Sequence, residues 1–111
     1  MEATTVNYKT VSPEEFAKDI NSSDIFLLDV RHPEEYESGH IKDAKNLDVM
    51  SSDFVELAEK ELPKDMTIAV YCGSGKRSGM ASDILSKKGY RILNLDGGLT
   101  AWKNAGLPVT E

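Results

Sequence analysis

Cysteine is almost absent: 111 residues hold a single thiol, Cys72. One thiol excludes an internal disulfide, a C-x-x-C redox pair and any zinc site built from several thiolates. Basic charge is also scarce, with 13 Lys and Arg against 19 Asp and Glu for a net charge of −6. That balance argues against a nucleic-acid partner and against an anionic membrane surface, since both require a basic face. Long apolar runs are missing too. The longest, Ile25–Leu28 and Ile68–Tyr71, are far too short to span a bilayer. No basic-plus-apolar leader stretch opens the chain, so the cytoplasm is the expected compartment. Internal repeats and low-complexity tracts are lacking as well.

What is present is the composition of an ordinary globular domain, 40% apolar and 29% charged. The length suits one domain over residues 1–111, able to bury a core without disulfide or metal staples. Ser12-Pro13-Glu14-Glu15 is a capping box with proline at the first helical position, and predicts a short helix to about Ile20. Ile25–Leu28 is continuously apolar, as in a strand covered on both faces. Pro33 to Gly39 predicts one or two helical turns, and a short strand is expected near Lys45–Leu47. Phe54, Leu57, Ala58 and Leu62 show helical spacing behind Ser51 and Ser52. Thr67–Tyr71 is the clearest strand. Met80, Ala81, Ile84 and Leu85 trace a helical stripe ending at Gly89, and Tyr90–Leu93 predicts another strand. Leu99 to Asn104 closes the series as a short helix. Strands alternating with helices at this spacing mean an α/β domain with a small, mostly parallel sheet.

Ligands of open α/β sheets bind beyond the carboxyl ends of the strands. Cys72 stands there, where the best strand enters the turn Gly73-Ser74-Gly75 and a helix begins. The helix start offers unpaired N–H groups and a partial positive charge. The two glycines let successive N–H groups converge on one anion or on the sulfur. Lys76 and Arg77 add cations. Each feature is expected to favour the thiolate, which is the nucleophilic form. The competing reading is a small buried hydrophobe after an apolar strand. The combination with two adjacent cations favours chemistry.

Cys72-Gly73-Ser74-Gly75-Lys76-Arg77-Ser78 resembles the active-site loop of single-domain rhodanese-like sulfurtransferases, C-x-x-G-x-R-S/T. Leu28-Asp29-Val30-Arg31, Glu35-Tyr36, Gly39-His40-Ile41, Ala44 and Asn46 resemble that family's first signature. Gly97-Gly98, Trp102, Gly106 and Pro108 resemble its closing segment. The similarity runs from about residue 29 to residue 108. It implies a three-layer domain with helices on both faces of the sheet. It also implies a mechanism in which Cys72 takes a sulfane sulfur from thiosulfate or a related donor as a persulfide. Cyanide, a small thiol or a protein thiol then accepts it. No metal or organic cofactor is implied. Gly73, Ser74, Gly75, Lys76, Arg77 and Ser78 are the expected substrate-binding residues, and the two cations suit the oxygens of a dianionic donor.

Other readings bear on the same residues. Phosphatases and arsenate reductases of related fold carry a longer loop between cysteine and arginine, so the four residues here, Gly73 to Lys76, disfavour them. A regulatory or sulfur-carrier module that binds a partner protein is the alternative from a different class. Asp29 and Arg31 are supporting candidates at the same mouth, with a structural ion pair the favoured role. His40 is expected to serve the fold rather than a Cys-His-Asp relay, and His32 to face solvent. Trp102 is expected in the core or a pocket wall. Glu34, Glu35, Glu37, Glu56, Glu59 and Glu61 read as ordinary solvated helix faces.

Overall fold

The computed structural model describes residues 8–111, and the first seven residues of the domain expected over 1–111 lie outside the described residues. Five strands and five helices alternate: β1 (Tyr8–Val11), α1 (Pro13–Asp19), β2 (Ile25–Asp29), α2 (Pro33–Ser38) and β3 (Lys45–Asn46). The second half adds α3 (Phe54–Glu61), β4 (Thr67–Tyr71), α4 (Lys76–Lys87), β5 (Arg91–Leu95) and α5 (Gly98–Asn104). Every pairing between these strands is parallel and the strand order is β1-β5-β4-β2-β3. The α/β expectation holds.

Successive residues of a strand point to opposite faces, and the central strands use both. Leu28, Val70 and Ile92 pack with Phe54 and Ala58 of α3 and Ala81 and Leu85 of α4. Leu27, Ala69 and Leu93 pack instead with Phe16 of α1 and Leu99 and Trp102 of α5. Two covered faces explain why β2 and β4 read as continuous apolar runs. The result is three layers, helix on sheet on helix.

Strand β1 is an addition to the sequence reading. Its residues Tyr8-Lys9-Thr10-Val11 lie at the sheet edge, and only Val11 is fully buried. An edge strand pairs on one side and tolerates polar residues, so it lacks the apolar run that marks β4. Tyr8 and the β-branched Thr10 and Val11, placed ahead of the Ser12 cap, are the signal that would have found it.

Candidate active site

Strand β4 lies between β5 and β2, and its carboxyl end delivers the chain to Cys72. Tyr71 turns to the face of α1 and α5, so Cys72 turns to the face of α3 and α4, where it is wholly buried. The loop that follows reaches α4 through Gly75, whose φ of 103° only glycine adopts without strain. That residue donates its N–H to the Cys72 sulfur at 3.0 Å. No side chain caps α4, and no acid stands in its first turn.

The thiol pKa is set by a contest. Burial pushes it up, but the N–H and hydroxyl of Ser78 and the N–H groups of Gly75 and Ser74 together pull it below the ordinary thiol value. The direction and the part played by the loop N–H groups agree with the sequence reading, while the two cations do not lead. Hydrogen-bond donors of the loop and first helical turn hold the sulfur, and neither Lys76 nor Arg77 leads the effect. Ser78 is itself completely buried, and its hydroxyl lies 3.3 Å from the Gly75 carbonyl. Its place is beneath the loop.

Helix α5 closes the loop from behind. Leu99 N–H reaches the Cys72 carbonyl at 2.7 Å and Thr100 N–H reaches the Gly73 carbonyl at 3.0 Å. This approach requires a bare backbone. Gly98 has a φ of 63°, and a Cβ there would fall 2.6 Å from the Cys72 carbonyl oxygen. In the sequence Gly97-Gly98 reads as punctuation and as part of the family resemblance. The structure shows that Gly98 lets one backbone rest on another.

Arg77 and Glu35 correct the expected electrostatics. Arg77 is bound in a fork by Glu35, with Nη1 to Oε1 at 2.7 Å and Nη2 to Oε2 at 3.0 Å. Glu35 is therefore no ordinary solvated residue. The Arg77 bond holds its carboxyl well below the usual range, at about 2. Its Oε1 also accepts the His32 N–H at 3.2 Å. The pair lies across the loop: a Cβ on Gly73 would sit 3.3 Å from Arg77 Nη2 and 3.9 Å from Glu35 Oε2. Lys76 is exposed. His32, half-exposed, does not simply face solvent, because its Nδ1 lies 2.7 Å from Asp48 Oδ2.

Asp29 and Arg31 form a buried ion pair. Arg31 Nη2 meets Asp29 Oδ2 at 2.7 Å and donates to the Gly39 carbonyl at 2.6 Å, all buried. Burial works against the Arg31 charge, and Asp29 outweighs it. Asn46 donates to the carbonyls of Asp29 and Arg31, and the Tyr71 hydroxyl accepts the Ile41 N–H at 3.0 Å. This network ties the ends of β2 and β4 to the segment after α2. His40 stacks on Tyr36 with ring centres 3.8 Å apart, its Nδ1 directed at the Tyr36 carbonyl. Asp29 is bound to Arg31, and no hydrogen bond joins it to His40 among the described residues. Trp102 is buried, with Nε1 donating to the Pro108 carbonyl at 2.8 Å.

Comparison with known proteins agrees with this architecture. The Rhodanese-like domain family matches residues 12–105. A sulfurtransferase of Allochromatium vinosum is 40% identical over 90 residues, covering 80% of this chain and 81% of that protein. A tRNA uridine(34) hydroxylase of Chlamydia pneumoniae is 32% identical over 100 residues, covering 85% of this chain and 31% of the hydroxylase. The chain likewise spans 61% of the length of a Synechocystis relative, so some relatives are considerably longer. The crystal structure of a rhodanese-related protein from Thermoplasma volcanium superposes with a TM-score of 0.82 at 31% identity, covering 93% of this chain and 98% of that one. The chain belongs to the rhodanese-like domain family.

Proposed function

We propose that the chain is a sulfurtransferase that carries a sulfane sulfur on Cys72, from thiosulfate or a related donor to a thiol or cyanide. The observation that carries this reading is the buried Cys72 sulfur, placed at the end of the central strand and held by donors that lower its pKa. The Cys72 thiolate attacks the outer sulfur of thiosulfate, the donor S–S bond breaks, and sulfite leaves with the bonding pair. The resulting persulfide is again an anion, and the donors of the loop suit it as they suit the thiolate. An acceptor thiolate or cyanide then attacks the outer sulfur and returns the electron pair to Cys72. No net oxidant is needed, because the sulfur moves at a constant oxidation level.

The other loop residues take graded roles. Gly73, Ser74 and Gly75 form the cradle, Ser78 supports it from below, and Lys76 and Arg77 stand at its mouth. Asp29 and Arg31 hold the neighbouring strand end and act on the sulfur only through that scaffold. A reducing compartment such as the cytoplasm suits a lone thiol that must stay free. Intact mass after thiosulfate treatment tests the proposal: a gain of about 32 Da, one sulfur on the cysteine oxidation ladder, is expected. Cys72→Ser should show neither the gain nor transfer to cyanide, with its circular dichroism unchanged. No gain from thiosulfate or from a thiol persulfide would favour the partner-binding module instead.

A further inference from the structure

Arg77 was expected to offer a free guanidinium to an anionic donor, and the structure commits both of its terminal nitrogens to Glu35. The carboxylate is not a wandering surface group. It stands at the third position of α2 behind Pro33, and its Oε1 also accepts the His32 N–H at 3.2 Å. Both charged groups lie against Gly73, beside the nucleophile. Arg77 is also near enough to Cys72 for the sulfur's charge to act on it. A second carboxylate, Asp48, joins the same rim through His32. An entering dianion therefore meets a neutralised arginine, an exposed Lys76 and the negative charge of the thiolate itself. It must either displace an anchored carboxylate or do without the fork.

We propose that Glu35 is a charge-selecting positioning residue, which by occupying Arg77 at the mouth of the cysteine loop turns the site from free sulfur dianions toward sulfane carriers of low charge, such as the persulfide of a thiol. This rests on the sulfur-transfer reading and deepens it: the reading names the reaction, and the Glu35–Arg77 pair names the class of donor. The ion pair leaves the sulfur's own donors intact, since Gly75, Ser74 and Ser78 supply those. Glu35 therefore filters charge while the cradle maintains reactivity.

The chain's single thiol permits a direct test. Cys72 is alkylated with neutral iodoacetamide and with anionic iodoacetate at low ionic strength, and the ratio of the two rates is compared among variants. Glu35→Gln, which keeps the shape and removes the charge, should raise the iodoacetate-to-iodoacetamide ratio about three- to tenfold, an effect that shrinks in high salt. Glu35→Asp keeps the charge and should stay within about twofold of the unmodified protein. A purely structural role would move both rates together and leave the ratio constant, which overturns the proposal. Glu35→Ala repeats the measurement should the Gln variant fail to fold. Thiosulfate KM should fall in Glu35→Gln by a similar factor, while transfer from a thiol persulfide changes little. Alkylation needs no sulfur transfer, so a shifted ratio in a protein that gains no sulfur mass from either thiosulfate or a thiol persulfide would sustain the charge filter and reject the transfer reading alone.

Discussion

Helix α1 closes its exposed N–H groups on its own chain: Ser12 accepts the Glu15 N–H at 3.2 Å, Pro13 removes one donor, and Glu14 and Glu15 complement the helix dipole. Helix α4 does none of this. Its cap is a left-handed glycine with no side chain to bond the first turn, and two cations stand where acids would be favourable. The donors that α1 spends on itself are left at α4 for the Cys72 sulfur. The start of α1 thus closes on its own cap side chain, and the start of α4 closes on the Cys72 sulfur.

The largest expected effect comes from destroying the backing of the α4 start. Gly98→Ala places a Cβ 2.6 Å from the Cys72 carbonyl oxygen at a left-handed residue. Left-handed strain of roughly 1–2 kcal/mol and overpacking of roughly 1–3 kcal/mol together predict a loss of about 2–5 kcal/mol in urea unfolding. Transfer activity should fall even where the fold survives, because the loop carbonyls lose their partners. Activity retained with unchanged stability would mean that α5 does not hold the loop.

Making α4 resemble α1 is the sharper comparison. Lys76→Glu puts an acid in the first turn of α4, which should stabilise the helix by about 0.3–1 kcal/mol through its dipole. The same charge should raise the Cys72 pKa and slow alkylation at neutral pH. A more stable protein with a slower thiol is the expected signature, read from the pH dependence of the alkylation rate. Unchanged Cys72 reactivity would show that first-turn charge does not reach the sulfur.

Ser12→Ala is the converse control at α1. Loss of this exposed cap should cost about 1 kcal/mol in the urea midpoint and leave the alkylation profile of Cys72 in place. Smallest is the acid response of the Glu35–Arg77 pair. The folded carboxyl is held at about 2, below its ordinary value of 4.5. Its contribution to stability is therefore whole above pH 4.5 and disappears as the pH falls toward 2. Both partners are partly exposed, so added salt should flatten this part of the stability profile. A Glu35→Gln variant should lack it.

The contrast between the helix starts was legible in the residues themselves. Ser12-Pro13-Glu14-Glu15 and Cys72-Gly73-Ser74-Gly75 are local patterns, and local patterns are what a sequence displays. The Asp29–Arg31 pair spans two residues and was visible for the same reason. Strands β2 and β4 announced themselves because both their faces are covered, whereas β1 did not because most of its residues meet solvent. The partnership of Arg77 with Glu35 joins residues 42 apart, so charge alone could not pair them. The seating of Leu99 and Thr100 on the loop carbonyls depends in the same way on how two distant turns meet. Family resemblance supplied Gly97 and Gly98, and the structure supplied the purpose of Gly98.

The placement of β1 has a consequence for the order in which the protein is made. Its sheet neighbour is β5, with Tyr8 opposite Ile92 and Val11 opposite Leu95. The amides that seat the cysteine loop belong to Leu99 and Thr100, further along still. A ribosome therefore delivers β1 and Cys72 well before β5, Leu99 and Thr100, so pairing β1 and seating the loop carbonyls must wait for residues 91–100. Until then Cys72 is a thiol without its full setting. The carbonyls of Cys72 and Gly73 thus gain their partners only when Leu99 and Thr100 are in place.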